Sequence, residues 1–185
     1  MSAWRETLFA LPPDPPRVGV HYSDIAKDLL IYLNEQKYGK PIDEEARHRF
    51  ERGFAFESML GARYYPPDVI TQVEFVSDHI IHTLDGFDPI VEDVWESKCT
   101  AYSMNRGLDD PELVSWKWQT CNYQRASKSK AVNLIVMWVN GNYRPMSTIT
   151  KAYRRSYSPI EQSELWDMIR RHRDRMKKQG RLPNA

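Results

Sequence analysis

Four side chains of this sequence could together bind a divalent cation and use it in hydrolysis: Glu57, Asp85, Glu96 and Lys98. Carboxylate oxygens are the ligands that hard cations such as Mg²⁺ prefer, and two or three of them leave room for water and phosphate oxygens. A cation held in this way lowers the pKa of bound water and neutralises charge on a phosphodiester under attack. The amine of Lys98 could hold the attacking water or stabilise the developing negative charge.

Asp85, Glu96 and Lys98 are predicted to lie on a hairpin. β-Branched and alternating residues over 69–83 indicate its first arm, and Asp85-Gly86 is expected to form its turn. The second arm is predicted over residues 90–100. Side chains alternate between the two faces of a strand, so Glu96 and Lys98 should point the same way and Ser97 should point to the other face.

Glu57 is predicted to lie on a helix just upstream. Asp43 can cap this helix, which should run to about residue 63, before Pro66 and Pro67. Such a helix could cover the hairpin face that carries the other acids. An earlier helix is expected from Ser23 or Asp24 to about residue 35, because apolar residues recur there at helical spacing.

The second half of the chain shows clear boundaries of secondary structure. Asp109 or Asp110, followed by Pro111, is a good helix start. An apolar strand is predicted over 131–139, a hairpin turn at 140–141 and a partner strand over 143–150. Ser158 and Glu161 form a capping box that opens a final helix. This order of elements predicts an α/β domain around a small central mixed sheet flanked by helices.

Each feature also has an ordinary structural interpretation. A Glu and a Lys two residues apart on a strand are usually a solvated face, and Asp-Gly is more often only a turn. An acid beside apolar residues on a helix, as at Glu57, usually marks the solvent side. The coincidence of these features, in order and with compatible geometry, favours a functional site.

Four motifs resemble those of the PD-(D/E)XK nuclease superfamily, in particular its lambda exonuclease and RecB-like branch. Leu84-Asp85-Gly86-Phe87 and Trp95-Glu96-Ser97-Lys98-Cys99 are similar to the D-G-x…E-x-K-C core. Residues 52–57, Arg-Gly-Phe-Ala-Phe-Glu, resemble the R-G-x-x-x-E helix motif, and residues 118–123 contain a pattern similar to Q-x-x-x-Y. One departure is Leu84, which stands where the family usually has proline. Three nearby acids therefore compete with Asp85 for the role of ligand: Asp88, Glu92 and Asp93.

The resemblance implies a restriction-endonuclease-like core and Mg²⁺- or Mn²⁺-dependent hydrolysis of DNA phosphodiesters. Asp85 and Glu96 would be the principal metal ligands, with the backbone carbonyl of Ser97 as a further one. Glu57 would ligate directly or through water, and Lys98 would orient the hydrolytic water.

The resemblance also implies that Gln119 and Tyr123 shape the site and contact the DNA strand. The alternative role for Gln119 and Tyr123 is structural: a packed helix face with a buried amide. Three histidines, His48, His79 and His82, are expected to be packing or surface residues, because the carboxylates already suffice as ligands.

Length and composition bound the remaining expectations. With 185 residues, 41% of them hydrophobic, the chain fits one domain. We expect an extended, proline-rich lead-in over 1–20 and a single nuclease domain over 21–185.

Two cysteines cannot supply a four-cysteine iron–sulfur cluster. No apolar run is long enough to cross a bilayer and no signal peptide is evident, so a cytoplasmic protein of a bacterial or phage-infected cell, without membrane partners, is expected.

The formal charge is only +1, but basic residues gather in the last thirty positions. They could follow a phosphate backbone or simply be solvated.

The leading hypothesis is a stand-alone DNA exonuclease of phage-type recombination, repair or DNA processing, with a possible recombination or replication protein partner and possible oligomerisation. The alternatives are a structure-specific or restriction-type endonuclease and a nucleic-acid-binding module that does not cleave.

Overall fold

The computed structural model describes residues 18–38, 59–100, 108–139 and 148–182. The helices are α1 (Tyr22–Tyr38), α2 (59–64), α3 (Val114–Ser127), which follows a 3₁₀ turn at Pro111–Leu113, and α4 (Pro159–Lys178). The strands are β1 (Ile70–Ser77), β2 (Ile80–Asp88), β3 (Asp93–Thr100), β4 (Ala131–Val139) and β5 (Thr148–Arg155).

The five strands form one mixed sheet in the order β1-β2-β3-β4-β5. All neighbouring strands are antiparallel except β3 and β4, which are parallel over eight residue pairs. Parallel neighbours need a long crossover connection, and α3 lies within this one. The predicted α/β class and the layout of a small central mixed sheet flanked by helices are confirmed.

The main core lies where α1, α3 and α4 pack together and against the sheet. Fully buried side chains from α1, β2 and α4 meet there, among them Ile25, Leu84 and Ile169. A smaller cluster under the start of α3 contains Leu113 and Trp138. Burying apolar side chains of this size stabilises the fold by roughly 1.5–3 kcal/mol each. The sheet strands that carry the candidate site therefore rest on a packed helical layer.

The predicted turn at Asp85-Gly86 is wrong, because both residues lie inside β2. The segment predicted as one arm is instead two antiparallel strands, β1 and β2, which turn at Asp78 and His79. These two residues have φ angles of 49° and 63°. Two successive residues in the left-handed region are what a tight hairpin turn requires, and Asp and His adopt that region more readily than most side chains.

The other strand limits differ in smaller ways. The arm predicted from residue 90 begins at Asp93, because the Asp88 carboxylate accepts the backbone N–H groups of Ile90 and Val91 and so forms a turn before it. β4 matches its prediction. The strand predicted over 143–150 continues to Arg155, whereas residues 140–147 lie outside the described residues.

The helices largely follow the sequence pattern. Ser158 and Glu161 form the predicted capping box at the start of α4. Only residues 59–64 of the helix predicted over 43–63 are described, and residues 1–17 of the expected lead-in lie outside the described part. Within the described ranges, no helix is both long and apolar enough to span a membrane.

Candidate active site

Backbone pairing between β2 and β3 stops one step before Asp85 and Glu96. Its last pair joins Gly86 and Trp95. Beyond it, the Asp85 carboxylate accepts the backbone N–H of Ser97 at 3.1 Å, so Asp85 lies against the β3 backbone beside Glu96. The N–H and C=O of one strand residue point towards the same neighbouring strand. The Ser97 carbonyl therefore also lies on the Asp85 side of β3.

Glu96 and Lys98 meet on one face of β3, as the strand alternation predicts. The Lys98 Nζ donates to Glu96 Oε1 at 2.5 Å. Glu96 has no exposed surface and Lys98 is 9% exposed. Burying a charge is costly unless an opposite charge compensates for it, so each of these groups depends on the other. A buried ion pair one residue from the Asp85 contact places two carboxylates and an amine in one small region.

Helix α3 brings Gln119 and Tyr123 to this region. The Gln119 side-chain amide donates to the Tyr123 hydroxyl at 3.0 Å. Burial raises the pKa of Tyr123 well above its usual value, and the negative charge of Glu96 raises it further. The Tyr123 hydroxyl therefore stays protonated close to the Glu96 carboxylate. The packed helix face with a hydrogen-bonded amide is observed, and contact with DNA stays a prediction.

An aromatic cluster that the sequence did not reveal lies beside Tyr123. The imidazole of His82 stacks on Tyr22 at 5.2 Å and lies 5.5 Å from the Trp166 ring, between ring centroids. Burial, together with the charge of Arg125, lowers the pKa of His82 from 6.5 to about 4. His82 is neutral at pH 7, and neither ring nitrogen has a hydrogen-bond partner among the described residues. The expectation that His82 is a packing residue is confirmed.

The three acids that competed with Asp85 have structural partners. Asp88 caps the turn before β3. Asp93 accepts two hydrogen bonds from Arg154. Glu92 forms an exposed ion pair with Lys130 at 2.8 Å. These contacts separate them from Asp85, whose carboxylate faces the backbone between Glu96 and Lys98.

Tyr65 lies behind this arrangement and was not singled out by the sequence. Its hydroxyl is 2.8 Å from the Ser97 Oγ, and its ring centroid is 5.6 Å from that of Trp95. The same ring covers Gly86, where an added Cβ would lie 2.8 Å from Tyr65 Cε2 and 2.6 Å from Val69 Cγ1. Glycine at position 86 is therefore required by close packing rather than by a turn.

The structure thus brings together Asp85, Glu96, Ser97 and Lys98, whereas Glu57 lies outside the described residues. Among the residues described, no group of three or more His, Cys, Asp or Glu side chains could hold a metal ion. Mg²⁺ is usually held by only one or two protein carboxylates together with water and substrate phosphates. The two carboxylates and the Ser97 carbonyl therefore fit such an ion, and Glu57 is the candidate third acid.

Basic side chains on α3, β5 and α4 form ion pairs and stack on aromatic rings. Lys117 and Arg155 form ion pairs with Glu161, and the Arg125 guanidinium stacks on Trp166 at 4.3 Å. On α4, Arg170 pairs with Asp167 at 3.9 Å and Arg175 stacks on Tyr32 at 4.3 Å. Five basic side chains of α4 are exposed: Arg170, Arg171, Arg175, Lys177 and Lys178. The number of exposed basic side chains makes this face of α4 a candidate for contact with a polyanion.

Comparison of the sequence with protein-family models gave no match, and comparison with curated proteins gave none of significant similarity. The fold is similar to a crystal structure of an alkaline exonuclease, LHK-Exo, from Laribacter hongkongensis, with 14% identity, a TM-score of 0.48 and coverage of 88% of this chain and 93% of that one. It is also similar to a protein called SSO0001, with 12% identity, a TM-score of 0.46 and coverage of 84% and 76%. A phage-related exonuclease from Haemophilus somnus gives 10% identity, a TM-score of 0.39 and coverage of 84% and 90%.

Proposed function

We propose that this protein is a metal-dependent deoxyribonuclease that hydrolyses DNA phosphodiester bonds and acts as an exonuclease. The observation that carries the proposal is the Asp85 carboxylate lying against the backbone between Glu96 and Lys98. The residues follow the order of the D…E-x-K motif. The two carboxylates suit a hard cation as ligands, and the amine of Lys98 lies beside them, where it can act on water.

In this proposal Asp85, Glu96 and the Ser97 carbonyl hold Mg²⁺ or Mn²⁺, and Glu57 adds a ligand directly or through water. The bound cation supplies an activated water and neutralises charge on the phosphate. Lys98 orients that water and faces the negative charge that develops on the phosphate oxygens. Its contact with Glu96 fixes the position of the amine before DNA binds.

DNA would be held by groups outside the metal-binding set. Gln119 and Tyr123 border the carboxylates and would contact the strand being cleaved. The exposed basic face of α4 would neutralise more distant phosphates, which makes binding strongly dependent on salt concentration. The exonuclease mode, a role in phage-type recombination or repair, a cytoplasmic location, a recombination or replication partner and oligomerisation follow from the motif resemblance and stay predictions.

The test is digestion of end-labelled linear single-stranded and duplex DNA, alongside a covalently closed circle, with Mg²⁺ or Mn²⁺ and with a chelator. Wild type is compared with Lys98→Ala, and with Lys130→Ala as a matched control. Lys130 is an exposed lysine whose ion pair with Glu92 lies at the surface.

Cleavage of linear DNA from its ends by wild type and Lys130→Ala, but not by Lys98→Ala and not with chelator, supports the proposal. Cutting of the closed circle would replace the exonuclease by an endonuclease on the same site. If no substrate were cleaved with either metal, the nuclease proposal would be contradicted in favour of a binding module.

A further inference from the structure

We infer that Tyr65 is a positioning residue of the metal site: its hydroxyl fixes Ser97, and Ser97 in turn fixes the Asp85 carboxylate. This inference rests on the proposed function, because it concerns how the ligands of that site are held. Tyr65 itself contacts neither of the two carboxylates through a described hydrogen bond, so its effect passes through Ser97.

The chain of contacts is short and continuous. The Tyr65 hydroxyl and the Ser97 Oγ are 2.8 Å apart, and the Ser97 N–H donates to Asp85 Oδ2 at 3.1 Å. Ser97 has no exposed surface, so without Tyr65 its hydroxyl would lose this partner where water has little access. The same residue supplies the backbone carbonyl proposed as a ligand. One buried serine therefore connects the phenol to two of the proposed ligands.

The Tyr65 ring is itself held in place. It packs over Gly86, with no space for a Cβ there, and lies against Trp95. Ligand geometry must be kept to within about 0.5 Å by supporting contacts of this kind. The fixed ring makes Tyr65 such a support.

The experiment measures Mn²⁺ binding to the 185-residue chain by calorimetry, without DNA, for wild type, Tyr65→Phe, Ser97→Ala and the double variant. Tyr64→Phe is the matched control, since Tyr64 is the adjacent tyrosine and is 41% exposed. Loss of a contact that orients a ligand typically weakens metal binding by about 10–100-fold. The apparent metal concentration for half-maximal cleavage is measured in parallel with the rate at saturating metal.

We expect Tyr65→Phe and Ser97→Ala each to weaken Mn²⁺ binding by about 10-fold or more, and the double variant to be no weaker than the weaker single variant. Residues that act through one contact are not additive. The rate at saturating metal should change much less than the metal concentration required, and Tyr64→Phe should behave as wild type.

Two results would overturn the inference while leaving the nuclease proposal intact: Mn²⁺ binding by Tyr65→Phe equal to wild type, or effects of the two substitutions that multiply in the double variant. If Tyr65→Phe failed to fold, unchanged binding by Ser97→Ala would also overturn it. A wild-type protein that neither binds Mn²⁺ nor cleaves DNA would overturn the inference together with the proposed function.

Discussion

Two acids on strand β3, three residues apart, are both buried but have different surroundings. Asp93 is 4% exposed and faces partners on the next two strands, a bidentate contact from Arg154 and a hydrogen bond from Asn133. Glu96 is fully buried and pairs with Lys98 of its own strand, beside the Asp85 contact. Burial alone therefore does not distinguish a structural acid from a candidate ligand.

The difference lies in what each contact holds together. The partners of Asp93 come from β4 and β5, so its charge ties three strands into one sheet. The Glu96–Lys98 pair instead joins two side chains of one strand, next to the backbone N–H that Asp85 accepts. Burying such a pair costs desolvation, and a buried charge pair beside a further carboxylate is typical of functional sites.

The largest effects are expected at the two carboxylates of the proposed site, Asp85 and Glu96, which lie side by side. Asp85→Asn should lower DNA cleavage by about 10²–10³-fold, the size typical of losing one group that stabilises charge in a reaction. Asp88→Asn is the matched control, because this acid three residues later caps a turn. Cleavage rates of the two folded variants on linear DNA decide between them. A larger loss of cleavage for Asp88→Asn than for Asp85→Asn would show that Asp88, and not Asp85, is the ligand.

The next effect concerns His82, which lies in the aromatic cluster behind Tyr123. Its pKa falls from 6.5 to about 4 in the folded protein, so the unfolded chain binds a proton first as pH falls. Above pH 6.5 this group does not change stability. Between pH 6.5 and 4 its contribution should lower the free energy of unfolding, by about 3 kcal/mol at most.

The measurement is the free energy of unfolding from pH 7.5 to 4 for wild type, His82→Phe and His79→Gln. The phenyl ring cannot be protonated, so His82→Phe should flatten the dependence, whereas the exposed His79 serves as control. An unchanged slope in His82→Phe would show that other groups cause the acid sensitivity.

A third prediction concerns Gly86. It tests whether this glycine is needed for close packing, as the structure shows, or for a turn. Gly86→Ala should lower the free energy of unfolding by about 1–3 kcal/mol, because its Cβ would overlap Val69 and Tyr65. It should also weaken metal binding by moving Tyr65 away from Ser97. Gly180→Ala, at an open position past α4 with φ of 66°, is a contrast in which only backbone strain acts. Equal stability of wild type and Gly86→Ala would exclude the close approach seen here.

The smallest effect is expected at the structural acid. Asp93→Asn should cost about 1–2 kcal/mol in unfolding free energy, a modest loss because its partner Arg154 is 62% exposed and water can replace part of the contact. Cleavage by the folded variant should stay within a few-fold of wild type. Chemical denaturation tests the predicted loss of stability. The cleavage rate, measured at a temperature well below unfolding, tests the predicted activity.

The sequence predicted the parts of the site that depend on local periodicity. Alternation along β3 placed Glu96 and Lys98 together, and helical spacing placed Gln119 beside Tyr123. Both relations span only two or four residues, so they depend on backbone geometry that the local pattern determines. The apolar run of β4 and the capping box of α4 were predictable for the same reason.

The sequence did not predict features that depend on contacts between distant segments. Asp85-Gly86 has the composition of a turn, yet the glycine is required by the Tyr65 ring, twenty-one positions away, and the chain turns at Asp78 and His79 instead. The cluster of Tyr22, His82 and Trp166 joins three elements that carry no shared motif. Tertiary packing of this kind overrides the local propensity of a dipeptide.

The comparison between the two acids of β3 gives the most direct test of the central claim. The measurement is the rate of Mn²⁺-dependent release of labelled nucleotides from linear DNA by Glu96→Gln and Asp93→Asn, each verified as folded and compared with wild type. We predict near-wild-type release by Asp93→Asn and a loss of about 10²–10³-fold for Glu96→Gln. Equal activity of folded Glu96→Gln and wild type would contradict the proposed site.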